Sequence, residues 1–135
     1  MMSKKDLDAL SYLVIGCAIE VHKELGPGLL ESVYETCFLD ELKGKELFFQ
    51  SQLVLPILYK GKNLETSLRL DVLVEEILIV ELKSVETIVP IHQAQLLTYM
   101  KLLEKPKGII INFNCTNIFK EGQKTFVNEY YSFMK

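Results

Sequence analysis

The sequence has few cysteines, and their placement excludes two kinds of protein. Cys17, Cys37 and Cys115 are the three cysteines in this chain of 135 residues, and they are widely spaced. No two of them stand at a metal-binding spacing, and an odd, scattered set does not form a disulfide framework. We therefore expect three small buried hydrophobic side chains in a protein of a reducing compartment.

The chain also lacks a long uncharged apolar run. Its longest apolar stretches are as short as strands and are interrupted by charge, so no membrane-spanning helix is predicted. The first residues contain no apolar signal-peptide region, and we expect a cytoplasmic protein without membrane contact. Phosphate-binding glycine loops, dinucleotide fingerprints and serine-nucleophile motifs are missing too. The length predicts one globular domain over residues 1–135.

Positive charge is in short supply. The chain has 15 Lys and Arg residues against 18 Asp and Glu, which gives a net charge of −3 at pH 7. Bulk electrostatic attraction to nucleic acid is therefore not expected. Two local basic groups could still contact phosphate, although an ordinary solvated surface is the simpler interpretation of each. These groups are Lys60 with Lys62, and Lys101 with Lys105 and Lys107.

Hydrophobic periodicity predicts a single α/β domain. Apolar residues recur every three or four positions from Asp6 to Leu25, which predicts an amphipathic helix that ends at Gly26. A second helix ends near Gly44, and Pro90 begins a third. The predicted elements are helices over 6–25, 30–44 and 90–103, strands over 53–59, 67–74, 77–83 and 108–113, and a strand or hairpin around Gly122 within 117–127. This α-α-β-β-β-α-β order predicts a mixed sheet flanked by helices.

Three charged residues interrupt the two most apolar strands. Asp71 lies in one strand, and Glu81 and Lys83 lie two positions apart in the next. Burying charge in a sheet is costly unless the charges are paired or hold a metal. Two carboxylates and an ammonium on one face of a hairpin would suit a divalent cation and a phosphate. A cross-strand salt-bridge cluster on a solvent-facing surface is the alternative.

The apolar pattern also predicts the register of this hairpin. Alternate residues of a strand share a face, and matching the apolar faces leaves a connection of about three residues, Glu75 to Ile77. A slip of one residue would bury Asp71 among leucines. One face is expected to hold Leu68, Leu70, Val72 and Val74. The expected pairs are Val74 with Leu78, Val72 with Val80, Leu70 with Leu82 and Asp71 with Glu81, with Lys83 one step along.

Four sequence elements resemble a known family. The segment Gly28-Leu-Leu-Glu-Ser-Val-Tyr34 matches the signature of the GxxExxY proteins, a group within the PD-(D/E)XK nuclease superfamily. Asp71 and the segment Glu81-Leu-Lys83 resemble that superfamily's central acid and E-x-K element, although Leu70 replaces the name-giving proline. The segment Gln95-Leu-Leu-Thr-Tyr99 resembles its Q-x-x-x-Y element. The resemblance covers about residues 8–127 and implies a restriction-endonuclease-like αβββαβ core.

The resemblance implies a set of metal ligands. Asp71 and Glu81 would bind Mg²⁺ or Mn²⁺, with the backbone carbonyl of Leu82 as a third ligand. Glu31 would reach in from the second helix as a further metal or water ligand. An acid in the first turn of a helix is also favoured by the helix dipole alone, which leaves a structural interpretation of Glu31 open.

The resemblance also implies roles for three residues that do not bind metal. Lys83 would orient or help deprotonate the attacking water and stabilise negative charge on the phosphate. Gln95 and Tyr99 lie four apart on one helical face and would brace Lys83 or contact substrate phosphate. Core packing is the alternative for Tyr99, and a polar helix flank for Gln95.

These residues together predict a nuclease. We expect a metal-activated water to hydrolyse phosphodiester bonds, in DNA rather than RNA. The alternative is a catalytically silent nuclease-fold module that binds nucleic acid or a protein partner. The small size suggests a homodimer, and neither a basic arm nor a separate DNA-binding domain is evident in the sequence.

Overall fold

A computed structural model of the protein describes residues 2–135, except for the side chain of Glu65. A short π-helix precedes the last strand. In chain order the elements are α1 (Lys4–Leu25), α2 (Glu31–Gly44), β1 (Phe49–Tyr59), β2 (Lys62–Val74), β3 (Leu78–Lys83), α3 (Pro90–Leu102), β4 (Lys107–Asn112), the π-helix (Ile118–Gly122), β5 (Gln123–Val127) and α4 (Glu129–Ser132). The predicted order of helices and strands is confirmed.

The strands form one mixed sheet in the spatial order β1-β2-β3-β4-β5. β3 and β4 pair in parallel, and the other neighbours pair antiparallel. A parallel pair needs a crossover connection, which α3 provides between β3 and β4. The carboxyl ends of β3 and β4 therefore lie at the same edge of the sheet, where Lys83 is level with Asn112. The predicted mixed sheet flanked by helices is confirmed.

Helices α1 and α2 cover one face of the sheet. Ser3 caps α1 by accepting a hydrogen bond from the Asp6 N–H at 3.1 Å, and the Asp6 carboxylate accepts the Ser3 N–H at 3.1 Å. This reciprocal capping box defines where the helix begins. The apolar side of α1 then packs with Val72, Val80 and Ile109 of the central strands in the larger hydrophobic core.

Helix α3 covers the opposite face, and Gly108 of β4 determines how closely it packs. Leu96 and Met100 are fully buried on the side of α3 that faces the sheet. A Cβ atom at Gly108 would lie 2.7 Å from Leu96 Cδ1 and 2.9 Å from Met100 Sδ. These distances are shorter than van der Waals contact, so a side chain at this position would require Leu96 and Met100 to shift.

The β2–β3 hairpin has the predicted register over part of its length. Val72 pairs with Val80 and Val74 with Leu78, and the connection contains the three predicted residues 75–77. The ladder ends at the Val72–Val80 pair, so the expected backbone pairing of Leu70 with Leu82 is not formed. This pair does not form because the carboxylates of Asp71 and Glu81 accept backbone N–H groups where the next ladder hydrogen bonds would be.

The prediction of which side chains of β2 share a face is wrong for the first half of the strand. Val72 and Val74 pack towards α1 and α2 as expected, but Leu70 packs towards α3 in the second hydrophobic core, with Leu68 against it. Strict alternation would keep Leu70 and Val72 on one face. The alternation is interrupted at Asp71, where β1 also departs from regular strand geometry because Gln52 has a φ of 52°.

Some smaller expectations can also be compared with the structure. Of the two alternatives for residues 117–127, a strand or a hairpin, the strand is confirmed: β5 follows the π-helix directly after Gly122. Cys17 is buried as expected, while Cys37 and Cys115 are only half-buried, and all three cysteines are unpaired. Strand β1 begins four residues earlier than predicted, at Phe49, and β2 begins five residues earlier, at Lys62. Within residues 2–135, no helix has both the length and the hydropathy to cross a bilayer.

Replacing Gly108 with Ala should destabilise the protein by about 1 kcal/mol, because the new methyl group would displace the packed side chains of Leu96 and Met100. Urea unfolding followed by circular dichroism measures the loss. Gly16→Ala is the matched control, since a Cβ at Gly16 of α1 would meet no atom within 4 Å. That variant should be neutral or more stable by up to about 1 kcal/mol. Equal effects of the two substitutions would contradict the packing described for Gly108.

Candidate functional site

The loop before α2 is held in place by Tyr34. The Tyr34 hydroxyl donates a hydrogen bond to the Gly26 carbonyl at 2.5 Å and accepts one from the Leu29 N–H at 3.1 Å. Its buried ring stacks on Phe113, with centroids 4.3 Å apart and planes at 4°. Gly28 has a φ of 99°, which suits glycine in this turn. The glycine and tyrosine of the G-x-x-E-x-x-Y segment therefore fix the start of α2.

Glu31 is the first residue of α2 and lies against the end of β3. Its carboxylate accepts a hydrogen bond from the Ser84 N–H at 3.2 Å. The Ser84 hydroxyl in turn donates to the Leu29 carbonyl at 2.6 Å. Two hydrogen bonds thus attach the start of α2 to the residue that follows Lys83. Glu31 is placed at the carboxyl end of β3, where the sequence predicted a site.

Asp71 of β2 and Glu81 of β3 meet across the two strands, just beyond the last pair of the ladder. The Asp71 N–H donates to Glu81 Oε2 at 2.9 Å, and the Leu82 N–H donates to Asp71 Oδ2 at 2.8 Å. Each carboxylate therefore accepts a backbone N–H from the other strand, in place of a carbonyl. This reciprocal pair of bonds ends the regular ladder and accounts for the change of face at Leu70.

Glu81 is almost completely buried, with 5% of its surface exposed. Burial, and after it the negative charge of Asp71, raises the pKa of Glu81 above its ordinary value. The Asp71 N–H and the charge of Lys83 act in the opposite direction. Among the described residues, Lys83 forms no salt bridge with either acid. The alternative of a solvent-facing salt-bridge cluster is therefore not observed.

A cavity of about 250 Å³ adjoins this acid pair. Glu31 of α2, Asp71 of β2 and Leu82 of β3 line it, together with Ser32, Glu35 and Gln52. The structure thus brings together three of the four predicted metal-binding positions. Glu81 does not line the cavity, because its carboxylate is directed to the Asp71 N–H behind it.

Glu35 and Gln52 were not identified from the sequence. Gln52 Nε2 donates a hydrogen bond to Glu35 Oε1 at 2.7 Å inside the cavity. Burial raises the pKa of Glu35, the Gln52 hydrogen bond lowers it, and the charges of Asp71 and Glu31 raise it further. The spacing of four between Glu31 and Glu35 was a usable signal, since such residues share a helix face. Gln52 had no comparable signal, because its side chain reaches the cavity through an unusual backbone conformation.

Tyr99 and Gln95 approach the acid pair from α3. Tyr99 is 3% exposed and donates a hydrogen bond to the Arg69 carbonyl at 3.3 Å, two residues before Asp71. Burial, and then the charges of Glu81 and Asp71, raises the pKa of the Tyr99 hydroxyl, while a hydrogen bond with Gln95 lowers it. Tyr99 is therefore both a packing residue and a neighbour of the acids, and Gln95 lies exposed beside it.

Lys83 and the loop after it are supported by Asn112, another residue that the sequence did not indicate. Asn112 is buried and level with Lys83 on β4. Its side-chain oxygen accepts the Val85 N–H at 3.0 Å, and its amide donates to the Val85 carbonyl at 2.9 Å. The Lys83 carbonyl accepts the Phe113 N–H at 2.9 Å. The half-buried Lys83 thus ends a strand that is tied to β4.

The predicted ligand set is only partly assembled. Within the described part of the chain, no three His, Cys, Asp or Glu side chains converge closely enough to hold a metal ion together. At Asp71 and Glu81, one carboxylate oxygen of each accepts a backbone N–H of the opposite strand. The donors around the cavity are nevertheless carboxylate, amide and carbonyl oxygens, which are the ligands that Mg²⁺ and Mn²⁺ prefer. The residues present fit such an ion chemically.

Comparison with known proteins gives one match. A family model for the PD-(D/E)XK nuclease superfamily matches residues 8–126, which is most of the chain. No curated protein and no solved structure matches significantly. The helix, three strands, helix and strand from α2 to β4 agree with the restriction-endonuclease-like αβββαβ core that the sequence led us to expect.

Replacing Glu81 with Gln should stabilise the metal-free protein at alkaline pH. Because folding raises the pKa of Glu81, its ionisation costs stability as the pH increases from the ordinary value of 4.5 through the raised one. Glutamine keeps an oxygen for the Asp71 N–H but carries no charge. With a chelator present, thermal unfolding at about pH 9 should favour the variant by about 1 kcal/mol or more, and the gain should shrink towards about pH 5.

The control for this measurement is Glu24→Gln, which changes an exposed acid of α1. It should show no such dependence on pH. A stability difference between Glu81→Gln and the wild type that stays constant from acid to alkaline pH would contradict the role assigned to the buried charge.

Two substitutions at Gln52 should separate its backbone conformation from its side chain. Alanine and glycine both remove the hydrogen bond to Glu35, but a φ of 52° costs alanine about 1 kcal/mol or more and costs glycine little. We therefore expect Gln52→Ala to be less stable than Gln52→Gly by about 1 kcal/mol in urea unfolding. An alanine variant as stable as the glycine variant would show that this backbone conformation is unstrained.

Proposed function

Because this chain belongs to the PD-(D/E)XK nuclease superfamily, we propose that it hydrolyses phosphodiester bonds in DNA with the help of a bound Mg²⁺ or Mn²⁺ ion. The observation that carries the proposal is the pairing of Asp71 with the buried Glu81 beside a cavity of about 250 Å³. Burial of an ionised acid next to another acid is unfavourable unless a proton or a bound cation compensates the charge. Nucleic acid is accordingly the proposed partner, and DNA is preferred to RNA.

We further propose that the chain is one of the GxxExxY proteins. Support comes from the way its signature residues act together: Tyr34 holds the Gly26–Leu29 turn, and that turn sets Glu31 against Ser84. The signature residues would then serve to position the carboxylate of Glu31 at the end of β3.

Asp71, Glu81 and Glu31 are the proposed side-chain ligands of the ion, and the Leu82 carbonyl is the proposed backbone ligand. When bound, the ion would supply positive charge to the phosphate and lower the pKa of the attacking water. Asp71 is the central ligand, since it borders the cavity and also contacts β3 through the Leu82 N–H. Glu35 and Gln52 would shape the opposite wall of the cavity.

Lys83, Gln95 and Tyr99 are proposed to act around the phosphate. The Lys83 ammonium would donate hydrogen bonds to the attacking water and to a phosphate oxygen, where negative charge develops. Tyr99 would brace β2, because it donates to the Arg69 carbonyl close to Asp71. Gln95 is exposed beside Tyr99 and would contact substrate phosphate. The bracing thus acts on the strand of Asp71, rather than on Lys83 itself.

Two further expectations remain proposals. Three unpaired cysteines agree with a cytoplasmic location, since reducing compartments keep thiols free. A homodimer is proposed because a domain of this size has limited surface with which to hold a duplex. Equilibrium sedimentation would measure the oligomeric state directly.

Replacing Asp71 with Asn or Lys83 with Ala should lower metal-dependent cleavage by about 100-fold or more. Asparagine keeps an oxygen for the Leu82 N–H, so Asp71→Asn tests the charge and leaves that hydrogen bond possible. Cleavage of fluorescent single-stranded DNA, duplex DNA and RNA with Mg²⁺ or Mn²⁺ measures the activity. Asp40→Asn, which changes an exposed acid of α2, is the control and should keep full activity.

Calorimetric titration of Mn²⁺ should show binding to the wild type and to Asp40→Asn, and weakened binding to Asp71→Asn. Full cleavage by both Asp71→Asn and Lys83→Ala would refute the assignment of these residues. Binding of DNA without turnover at saturating Mn²⁺ would favour the catalytically silent module instead.

A further inference from the structure

The hairpin formed by β1 and β2 extends well beyond the rest of the sheet. β1 pairs with β2 from Phe49–Val74 to Tyr59–Lys62, whereas β3 pairs with β2 only as far as Val72. β2 continues for ten residues beyond Val72, whereas β3 continues for three beyond Val80. The outer part of β2 therefore runs past the carboxyl end of β3 by roughly 20 Å. We call residues 53–70 the hairpin arm.

The base of the hairpin arm is packed, and its outer part is exposed to solvent. Leu55 and Leu68 pair across the strands and contact the hydrophobic core beneath α3. Between residues 56 and 67, every described side chain is exposed except the half-buried Ile57. Tyr59 is 58% exposed at the tip. Two strands with little buried surface of their own suit a segment that contacts another molecule.

The hairpin arm has a charge opposite to that of the chain as a whole. It contains Lys60, Lys62 and Arg69, which are three of the fifteen basic residues, and Glu65, which is one of the eighteen acidic residues. Arg69 is also the chain's one arginine. Among the described side chains, no carboxylate forms a salt bridge with any of the three. The arm therefore has an excess of positive charge, while the remainder of the chain has 12 basic and 17 acidic residues.

The hairpin arm begins at the candidate site. Gln52, which lines the cavity, immediately precedes the first residue of the arm, and Asp71 immediately follows its last residue. Lys60 Nζ lies 5.4 Å from the centre of the Tyr59 ring at the tip. A polyanion that entered the cavity at Asp71 could thus extend along the arm and meet positive charge at its base and at its tip.

We propose that the hairpin arm binds the phosphate backbone of the nucleic acid on which the candidate site acts, through Arg69 at its base and Lys60 and Lys62 at its tip. This inference rests on the proposed nuclease function. It supplies the electrostatic attraction that the acidic chain otherwise lacks. A second copy of the chain is a poorer occupant of the same surface, because two arms side by side would bring like charges together.

Reversing the two tip charges tests the proposal. Lys60→Glu/Lys62→Glu should weaken binding of a labelled DNA oligonucleotide by about tenfold or more, measured by fluorescence anisotropy in EDTA so that no cleavage occurs. Lys43→Glu/Lys45→Glu is the matched control, since it makes the same charge change with the same spacing. These exposed lysines lie at the end of α2, about 20 Å along the helix from Glu31. The affinity of this control variant for the DNA oligonucleotide should change less than twofold.

The dependence on salt gives a second measure. If both tip lysines contact phosphates, the slope of log affinity against log salt should be smaller in magnitude by about 1–2 for Lys60→Ala/Lys62→Ala than for the wild type. Equal losses of affinity in the tip pair and the α2 pair would overturn the proposal, because bulk charge would explain both. Loss of self-association in the tip variant, with DNA affinity unchanged, would assign the arm to a second copy.

Cleavage assays separate this inference from the proposed function. Cleavage by the wild type, with KM unchanged in Lys60→Glu/Lys62→Glu, would support the nuclease function and refute phosphate binding by the hairpin arm. Binding of DNA that depends on Lys60 and Lys62, with no cleavage at saturating Mn²⁺, would support phosphate binding by the hairpin arm and refute the nuclease function. Raised KM with unchanged kcat in the tip variant supports both.

Discussion

The structure around the candidate site depends on one reciprocal interaction between β2 and β3. Asp71 and Glu81 each accept a backbone N–H of the opposite strand, where a regular ladder would use carbonyl oxygens. This exchange keeps the strands together while it places two carboxylates between them. It also turns Leu70 to the α3 face, so the alternation of side chains in the outer half of β2 is out of step with that in its inner half. A change of charge at either acid therefore affects strand pairing and chemistry together.

The surrounding elements hold this interaction from three directions. Tyr34 stacks on Phe113 and fixes the turn that delivers Glu31, and Asn112 holds the backbone at Val85. From α3, Tyr99 contacts the Arg69 carbonyl, and Leu96 and Met100 pack closely over Gly108 of β4. These contacts converge near the carboxyl end of β3, as expected where functional side chains need fixed positions.

The sequence predicted the central elements well because their chemistry is local. Apolar periodicity located the helices, and the matched faces of the hairpin gave the pairing of Val72 with Val80. What it missed depended on tertiary context. Nothing in the pattern indicates that side chains at positions 71 and 81 would replace ladder bonds, or that Gln52 would adopt a positive φ. Glu35 and Asn112 likewise gained their importance from neighbours that are distant in sequence.

The long outer strand β1 has a consequence for the behaviour of the protein in solution. As an edge strand it presents unpaired backbone N–H and C=O groups along with exposed apolar side chains such as Leu58. Such an edge is a template for uncontrolled pairing with other chains. Pro56, which cannot donate a ladder hydrogen bond, and the lysines at the tip interrupt that template. The residues that make the arm attractive to a polyanion would thus also protect the protein against aggregation.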